Sequence, residues 1–316
     1  MRLLIEIVLV LLGAWLGGRA AKWCRQPAVL GELLAGVALG GSLLGLVEKH
    51  AALDLFAQLG VIVLLFEAGL ATDYDSFMKV KFQALAVAVV GVICPFVFGY
   101  LISLAAGLGT LTALFVGATL TATSIGITLR VFRDLDRLAS REAQVVIGAA
   151  VVDDVIGLVL LALLVGAVQL AGSAVIVLAF AAGLFFSRTV YRSVFLWLIK
   201  PFAFVLVPVF FVMSGVMANL RVFHLSDPRL WLLTLFLLLA AVAGKLLSGW
   251  VAGARADGWL VGVGMVPRGE VGLIFVAFGL SRGILTAPLY ASLLAVIFLT
   301  TLVTPPLLGR LLAQRP

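Results

Sequence analysis

The sequence predicts an all-α polytopic membrane protein of about eleven transmembrane helices, built as two inverted-topology five-helix repeats with two broken, crossing helices at the midplane. Three observations carry this: apolar residues gathered in helix-length runs, a repeat held at one offset, and helix-breaking residues at corresponding places in two runs. Of the 316 residues 64% are hydrophobic and only 12% charged, and the mean hydropathy is +1.25. Soluble domain classes do not have that balance, whereas polytopic helical membrane proteins do.

Eleven apolar segments run over 3–20, 27–47, 54–71, 82–105, 110–131, 142–170, 172–190, 195–218, 229–253, 258–280 and 286–310. Runs of about 18 or more apolar residues read as transmembrane helices. The linkers are short, so the expectation is a single membrane domain with no soluble domain. Its divisions are a first transmembrane helix (1–26), a first five-helix repeat (27–171) and an inverted second repeat (172–312). The first segment contains Glu6, which argues against a cleaved signal peptide.

Lys and Arg set the expected orientation. One side collects 15: Arg19, Lys22, Arg25, Lys79, Lys81, Arg130, Arg133, Arg137, Arg141, Arg188, Arg192, Lys200, Arg255, Arg310 and Arg315. The other has 5: Arg2, Lys49, Arg221, Arg229 and Arg282. The C-terminus is therefore expected in the cytoplasm and, with eleven spans, the N-terminus outside a multi-pass protein of the inner (cytoplasmic) membrane. The net charge of +7 is read as topology; no basic groove with interleaved aromatics suggests nucleic acid.

The repeat is visible residue by residue. Ala35-Gly36 corresponds to Ala182-Gly183 at an offset of 147, Val61–Gly69 to Val207–Gly215 at 146, and Ala122–Gly126 to Arg268–Gly272 again at 146. Five helices per copy is an odd number, so the second copy enters from the opposite side, a frequent plan in secondary transporters.

Taken in order, the segments hold few polar residues. In the first and second, Gly13-x-x-x-Gly17 and Gly36-x-x-x-Gly40 permit close helix approach, within one chain or across a dimer seam. Glu6 reads as structural. Glu32, five residues after Pro27, suits a helix N-terminus, and Glu67, near the cytoplasmic end of the third segment, is read as an interfacial acid or a gate. The fifth segment carries Thr119, Thr121, Thr123, Ser124, Gly126 and Thr128, too polar for a lipid-facing helix. The plain alternative for Thr121, Thr123 and Ser124 is back-bonding to their own helix.

The sixth segment contains Asp153-Asp154 in an otherwise apolar run. Each intramembrane carboxylate costs roughly 2.5–3.5 kcal/mol on insertion scales and points by default to an ion or proton pathway. Neighbours on a helix diverge by about 100°, so the two acids face different surroundings. At the repeat offset they fall on Leu299 and Thr300, so the acids belong to one copy only. In the ninth segment Lys245 is too deep to reach water easily, and a buried lysine needs a partner; Asp153 or Asp154 is the choice, as a proton-handling pair or a purely structural one. The tenth segment carries Gly264-Met-Val-Pro-Arg-Gly-Glu. Pro267 removes a backbone donor, and Arg268 and Glu270 are candidates to neutralise the broken-helix ends. Unwound backbone survives at membrane depth only where it is buried in protein or lines a cavity.

Other chemistries drop out. Cys24 and Cys94 have no metal-ligand spacing, no phosphate loop is present, and His50 and His224 lie near external loops. No cofactor and no enzymatic activity are expected.

Five stretches, Gln26–Gly36, Leu64–Leu70, Thr121–Arg130, Val152–Leu158 and Val263–Ile274, together resemble the bacterial monovalent cation:proton antiporters. The branch with paired aspartates, related to potassium efflux antiporters, is the nearest in pattern. The resemblance implies that Asp154 is the main cation ligand and that Asp153 pairs with Lys245 and releases it as cation and proton exchange. Asp154 and Asp153 together would hold the transported metal cation. It further implies that Thr123 and Ser124 lie near the ion at one unwound stretch, with Arg268 and Glu270 at the other. Electrogenic exchange and a core domain that slides against a dimerisation domain follow from the same likeness. The chain departs from the pattern between Gly166 and Ala174, where a linker helix and the first helix of the second copy are missing. That puts the family's homodimer interface in question, and Gly41 stands where a proline is expected.

The expected function is therefore exchange of sodium or lithium for protons across the cytoplasmic membrane, by elevator-type alternating access in a lipid bilayer. Potassium/proton antiport or potassium efflux is the alternative within the class, and a non-transporting membrane sensor or subunit the alternative outside it.

Overall fold

The computed structural model describes residues 2–24, 26–48, 50–71, 82–167, 174–222 and 228–314. Arg25, Lys49, Lys79, Lys81 and Arg315, counted above for orientation, and His224 lie outside the described residues. Thirteen α-helices follow in chain order: α1 (Arg2–Trp23), α2 (Ala28–Leu39), α3 (Ala51–Ala71), α4 (Phe82–Ala105), α5 (Thr110–Thr119), α6 (Ile125–Asp134), α7 (Arg141–Ala167), α8 (Ala174–Ser187), α9 (Arg192–Val216), α10 (Pro228–Gly249), α11 (Gly258–Gly264), α12 (Glu270–Ser281) and α13 (Ala287–Ala313). Short 3₁₀ turns occupy Leu220–Val222 and Trp250–Ala252, and no strand is present among the described residues.

Seven helices, α1, α3, α4, α7, α9, α10 and α13, are long and apolar enough to cross a membrane. Shorter apolar helices of 10–17 residues complete the set: Ala28–Leu39, Thr110–Thr119, Leu178–Ser187 and Glu270–Ser281. Nine of the apolar segments read from the sequence hold one helix each, while 110–131 and 258–280 hold two. Both interruptions have local causes. At the end of α5 stand Thr119 and, two residues on, Thr121, whose hydroxyls donate to Phe115 O and Ala118 O, a competition that bends or ends helices. After α11 comes Pro267, which has no N–H to continue a helix. The starts of α7 and α13, at 141 and 287, are 146 residues apart, the offset read from the sequence.

The chain forms two compact units, Met1–Tyr74 with Val165–Val222, and Asp75–Leu164 with Phe223–Pro316. Each draws on both halves of the sequence. In the first, α1, α2, α3, α8 and α9 pack through small residues. A Cβ on Gly17 would lie 3.0 Å from Ala35 Cβ, and one on Gly40 would lie 2.8 Å from Val216 Cα. The small-residue faces of α1 and α2 are thus occupied inside the chain by α2 and α9. Gly69 of α3 meets Gly183 of α8, and Gly215 of α9 meets Gly36 of α2, so the four glycines that mark the repeat make the same kind of crossing twice. Close backbone approach replaces the hydrophobic driving force, which is absent between helices in lipid. Glu6 is 1% exposed, and His50 Nε2 lies 3.0 Å from its Oε2.

The second unit holds α4–α6, most of α7, and α10–α13. Its core joins Val87 and Ala88 of α4, Val145, Ala149 and Val152 of α7, Val261 of α11, and Met265. Gly244 of α10 packs onto Pro95 of α4, where an added Cβ would meet Pro95 N at 2.6 Å.

Candidate functional site

The site belongs to the second unit and grows from α7 and α10, a long helix from each half of the chain. Lys245 of α10 has no exposed surface, and Asp153 of α7 is 1% exposed. Lys245 Nζ donates to Asp153 Oδ2 at 2.5 Å. Thr123 Oγ1 donates to the same oxygen at 2.6 Å, so one carboxylate oxygen accepts two donors. Thr121 bonds back to the end of α5, whereas Thr123, in the unwound stretch that follows, gives its hydroxyl to the acid. Gly91 of α4 closes the other side of the lysine: a Cβ there would lie 3.3 Å from Lys245 Nζ.

The two unwound stretches, 120–124 and 265–269, are bonded to each other. Ser124 N donates to Pro267 O at 2.8 Å. Thr123 Oγ1 also approaches Met265 O at 3.4 Å, and Thr128 Oγ1 of α6 donates to Gly264 O at 2.6 Å. Gly269 is required here by close approach, since a Cβ would fall 2.6 Å from Ser124 Cβ. Arg268, 1% exposed, reaches back across the junction. Its Nη1 donates to Thr121 O at 3.3 Å and Ala122 O at 3.0 Å, and its Nη2 to Ala241 O at 2.8 Å. A cation on the free carbonyls past a helix C-terminus compensates its partial negative charge. Glu270 occupies the first turn of α12, where a carboxylate suits the positive end of the helix dipole.

Asp154 differs from its neighbour. It is partly exposed, and among the described residues its carboxylate takes no hydrogen bond. The charges acting on it are those of Asp153 and Glu270, both negative, and Lys245, positive. Arg268 in turn acts on Lys245, so the set holds three carboxyl groups and two basic groups.

Glu32 and Glu67 belong to the other unit. Glu32 does not cap α2: the N-cap is Pro27, the first turn holds no acid, and the helix-dipole effect fades beyond that turn. Instead Glu32 is 8% exposed and sits against α1, with Oε1 3.2 Å from where a Cβ on Gly18 would lie. Glu67 is half-buried in α3. Thr128 stands inside the polar fifth segment but is not distinguished there from its neighbours. Thr301 of α13, whose Oγ1 donates to Arg268 O at 2.6 Å, has only a run of threonines before Pro305-Pro306 to announce it.

The family model described as "Sodium/hydrogen exchanger, transmembrane" matches residues 7–178 and 163–314. The chain belongs to this family. Within it, the chain is 33% identical over 370 residues to the Na(+)/H(+)-K(+) antiporter GerN of Bacillus cereus, covering 96% of this chain and 94% of that one. It is 30% identical over 406 residues to the high-affinity Na(+)/H(+) antiporter NhaS3 of Synechocystis, covering 96% and 88%. Among solved structures, that of the sodium proton antiporter MjNhaP1 from Methanocaldococcus jannaschii has the same fold, with a TM-score of 0.69 at 14% identity over 98% of each chain. Both alignments run longer than this chain's 316 residues, and the two family matches meet at 163–178, the region where the sequence departs from the family pattern.

Proposed function

We propose that the protein exchanges a monovalent cation, sodium or lithium, for protons across the cytoplasmic membrane. The observation that carries this is the set of ionisable groups in the second unit: Asp153 is committed to Lys245 and Thr123, while Asp154 is partly open and takes no hydrogen bond among the described residues. A cation and a proton would occupy that carboxyl group in turn. Asp154 serves as cation ligand, Asp153 and Lys245 as the exchangeable pair, and Thr123 and Ser124 hold the pair's surroundings. Arg268 and Glu270 compensate the broken-helix ends.

In this reading, a cation arriving at Asp154 displaces a proton from that carboxyl group and loosens the Asp153–Lys245 pair, from which a second proton leaves; two protons against one monovalent cation make the exchange electrogenic. A first helix, 1–26, precedes two inverted five-helix repeats, 27–171 and 172–312, a reading supported by the sequence matches at an offset of 146–147 and by the starts of α7 and α13, 146 residues apart. The unit carrying the site moves as one body in elevator-type access, with the N-terminus outside and the C-terminus in the cytoplasm. Glu67 acts as a gate, Glu32 is structural, and a homodimer would have to form without the helix missing near 163–178. Potassium is kept as a second cation because GerN is named for it.

The test is recovery of a quenched pH dye in proteoliposomes after adding sodium, lithium or potassium. A response to sodium or lithium that disappears in Asp154→Asn, with the variant still folded, supports the reading. A response to none of the three ions overturns it, as does full activity in Asp154→Asn.

A further inference from the structure

We propose that Thr301 is a positioning residue of the cation site, acting through Arg268; this rests on the exchange reading above. A buried threonine on an apolar helix usually returns its hydroxyl to a carbonyl one turn back. Its neighbours do so: Thr300 Oγ1 donates to Val296 O at 2.8 Å, and Thr304 Oγ1 to Thr300 O at 2.7 Å. Thr301, 1% exposed, instead sends its hydroxyl out of α13 to Arg268 O at 2.6 Å.

That carbonyl lies in an unwound stretch that has no helix to satisfy it, and buried backbone acceptors need partners. Along the stretch, Gly264 O is held by Thr128 and Pro267 O by Ser124 N, both from the other broken helix. Arg268 O is held from α13, which ties the crossing to a continuous 27-residue helix.

The consequence runs along a chain of bonds. Thr301 fixes the Arg268 backbone, and the Arg268 guanidinium fixes Thr121 O and Ala122 O. The next residue, Thr123, donates to the Asp153 oxygen that also receives Lys245. Without Thr301 the arginine keeps its charge but loses its anchor, and Thr123 no longer meets Asp153 in one fixed geometry. Small misplacements of this kind weaken binding and chemistry disproportionately.

The experiment compares wild type, Thr301→Val and Thr301→Ser in proteoliposomes, measuring the pH-dye response against sodium concentration. Thr301→Val keeps the shape and removes the donor; Thr301→Ser keeps the donor. The expected result is a half-saturating sodium concentration raised about tenfold in Thr301→Val, with the maximal rate per folded protein little changed and Thr301→Ser close to wild type. A merely structural threonine would lower the amount of folded protein and leave half-saturation where it was, and that result overturns the proposal. Hydrogen exchange of the 264–273 backbone gives a readout independent of transport. Faster exchange in Thr301→Val, restored in Thr301→Ser, supports the positioning role even if the wild type moves no ion, in which case the exchange reading alone fails. Equal exchange in all three overturns the positioning role.

Discussion

Replacing Lys245 by methionine removes a charge from the least accessible part of the protein while nearly conserving volume. Alanine would add a cavity penalty of about 2–5 kcal/mol and blur the result. In the native structure both side chains of the pair have no exposed surface, so water cannot take over from the ammonium. Asp153 Oδ2 would keep only the Thr123 hydroxyl, and Asp153 Oδ1 has no hydrogen-bond partner among the described residues. Removing one member of a buried pair costs about 3–5 kcal/mol, because it strands the other charge. At about 1.4 kcal/mol per decade, this shifts the unfolding equilibrium by roughly two to three and a half powers of ten. The assay is equilibrium unfolding in mixed micelles, followed by tryptophan fluorescence. The double variant Lys245→Met, Asp153→Asn strands nothing and should recover most of the loss, since buried pairs replaced as a whole are often neutral. A Lys245→Met protein as stable as wild type would refute the reasoning, and so would strictly additive single and double variants.

Two further outcomes follow from the same unit. Thr123→Val removes a hydrogen bond to a charged group and should lower stability by about 1.5–3 kcal/mol, with Thr123→Ser near wild type; unfolding in the same micelles reads both. Gly269→Ala places a methyl 2.6 Å from Ser124 Cβ, an overpacking that should cost about 1–3 kcal/mol. Ser124→Gly in the same chain should relieve it, and failure of that relief would place the strain elsewhere.

The segments were legible because helix-length apolar runs are a local property. The interruption at 265–269 was legible for the same reason, Pro267 being unable to donate wherever it sits. The need of Lys245 for a partner could also be read, since an isolated buried ammonium is too costly. Which acid meets it came only from the family resemblance, not from the residues themselves: Asp153 and Asp154 point about 100° apart, and the choice depends on how α7 is rotated against α10, residues 92 positions apart in sequence. The Thr301 bond to Arg268 is hidden for a related reason, because three nearby threonines look alike until α13 is set beside the break. The place of Glu32 against α1 follows from how α1 and α2 cross, which the sequence around Pro27 does not show. The interleaving of the two units is likewise invisible to a reading that follows the chain from one end to the other.

That interleaving has a mechanical consequence. The backbone passes from one unit to the other at 74–75, again at 164–165, and a third time at 222–223. The units are therefore held by three covalent tethers, and any displacement of one against the other must be absorbed at all three together. Severing one tether, for instance with a protease site engineered between Val222 and Pro228, leaves two intact. A chain cut there should remain one particle, because two covalent connections between the units are left.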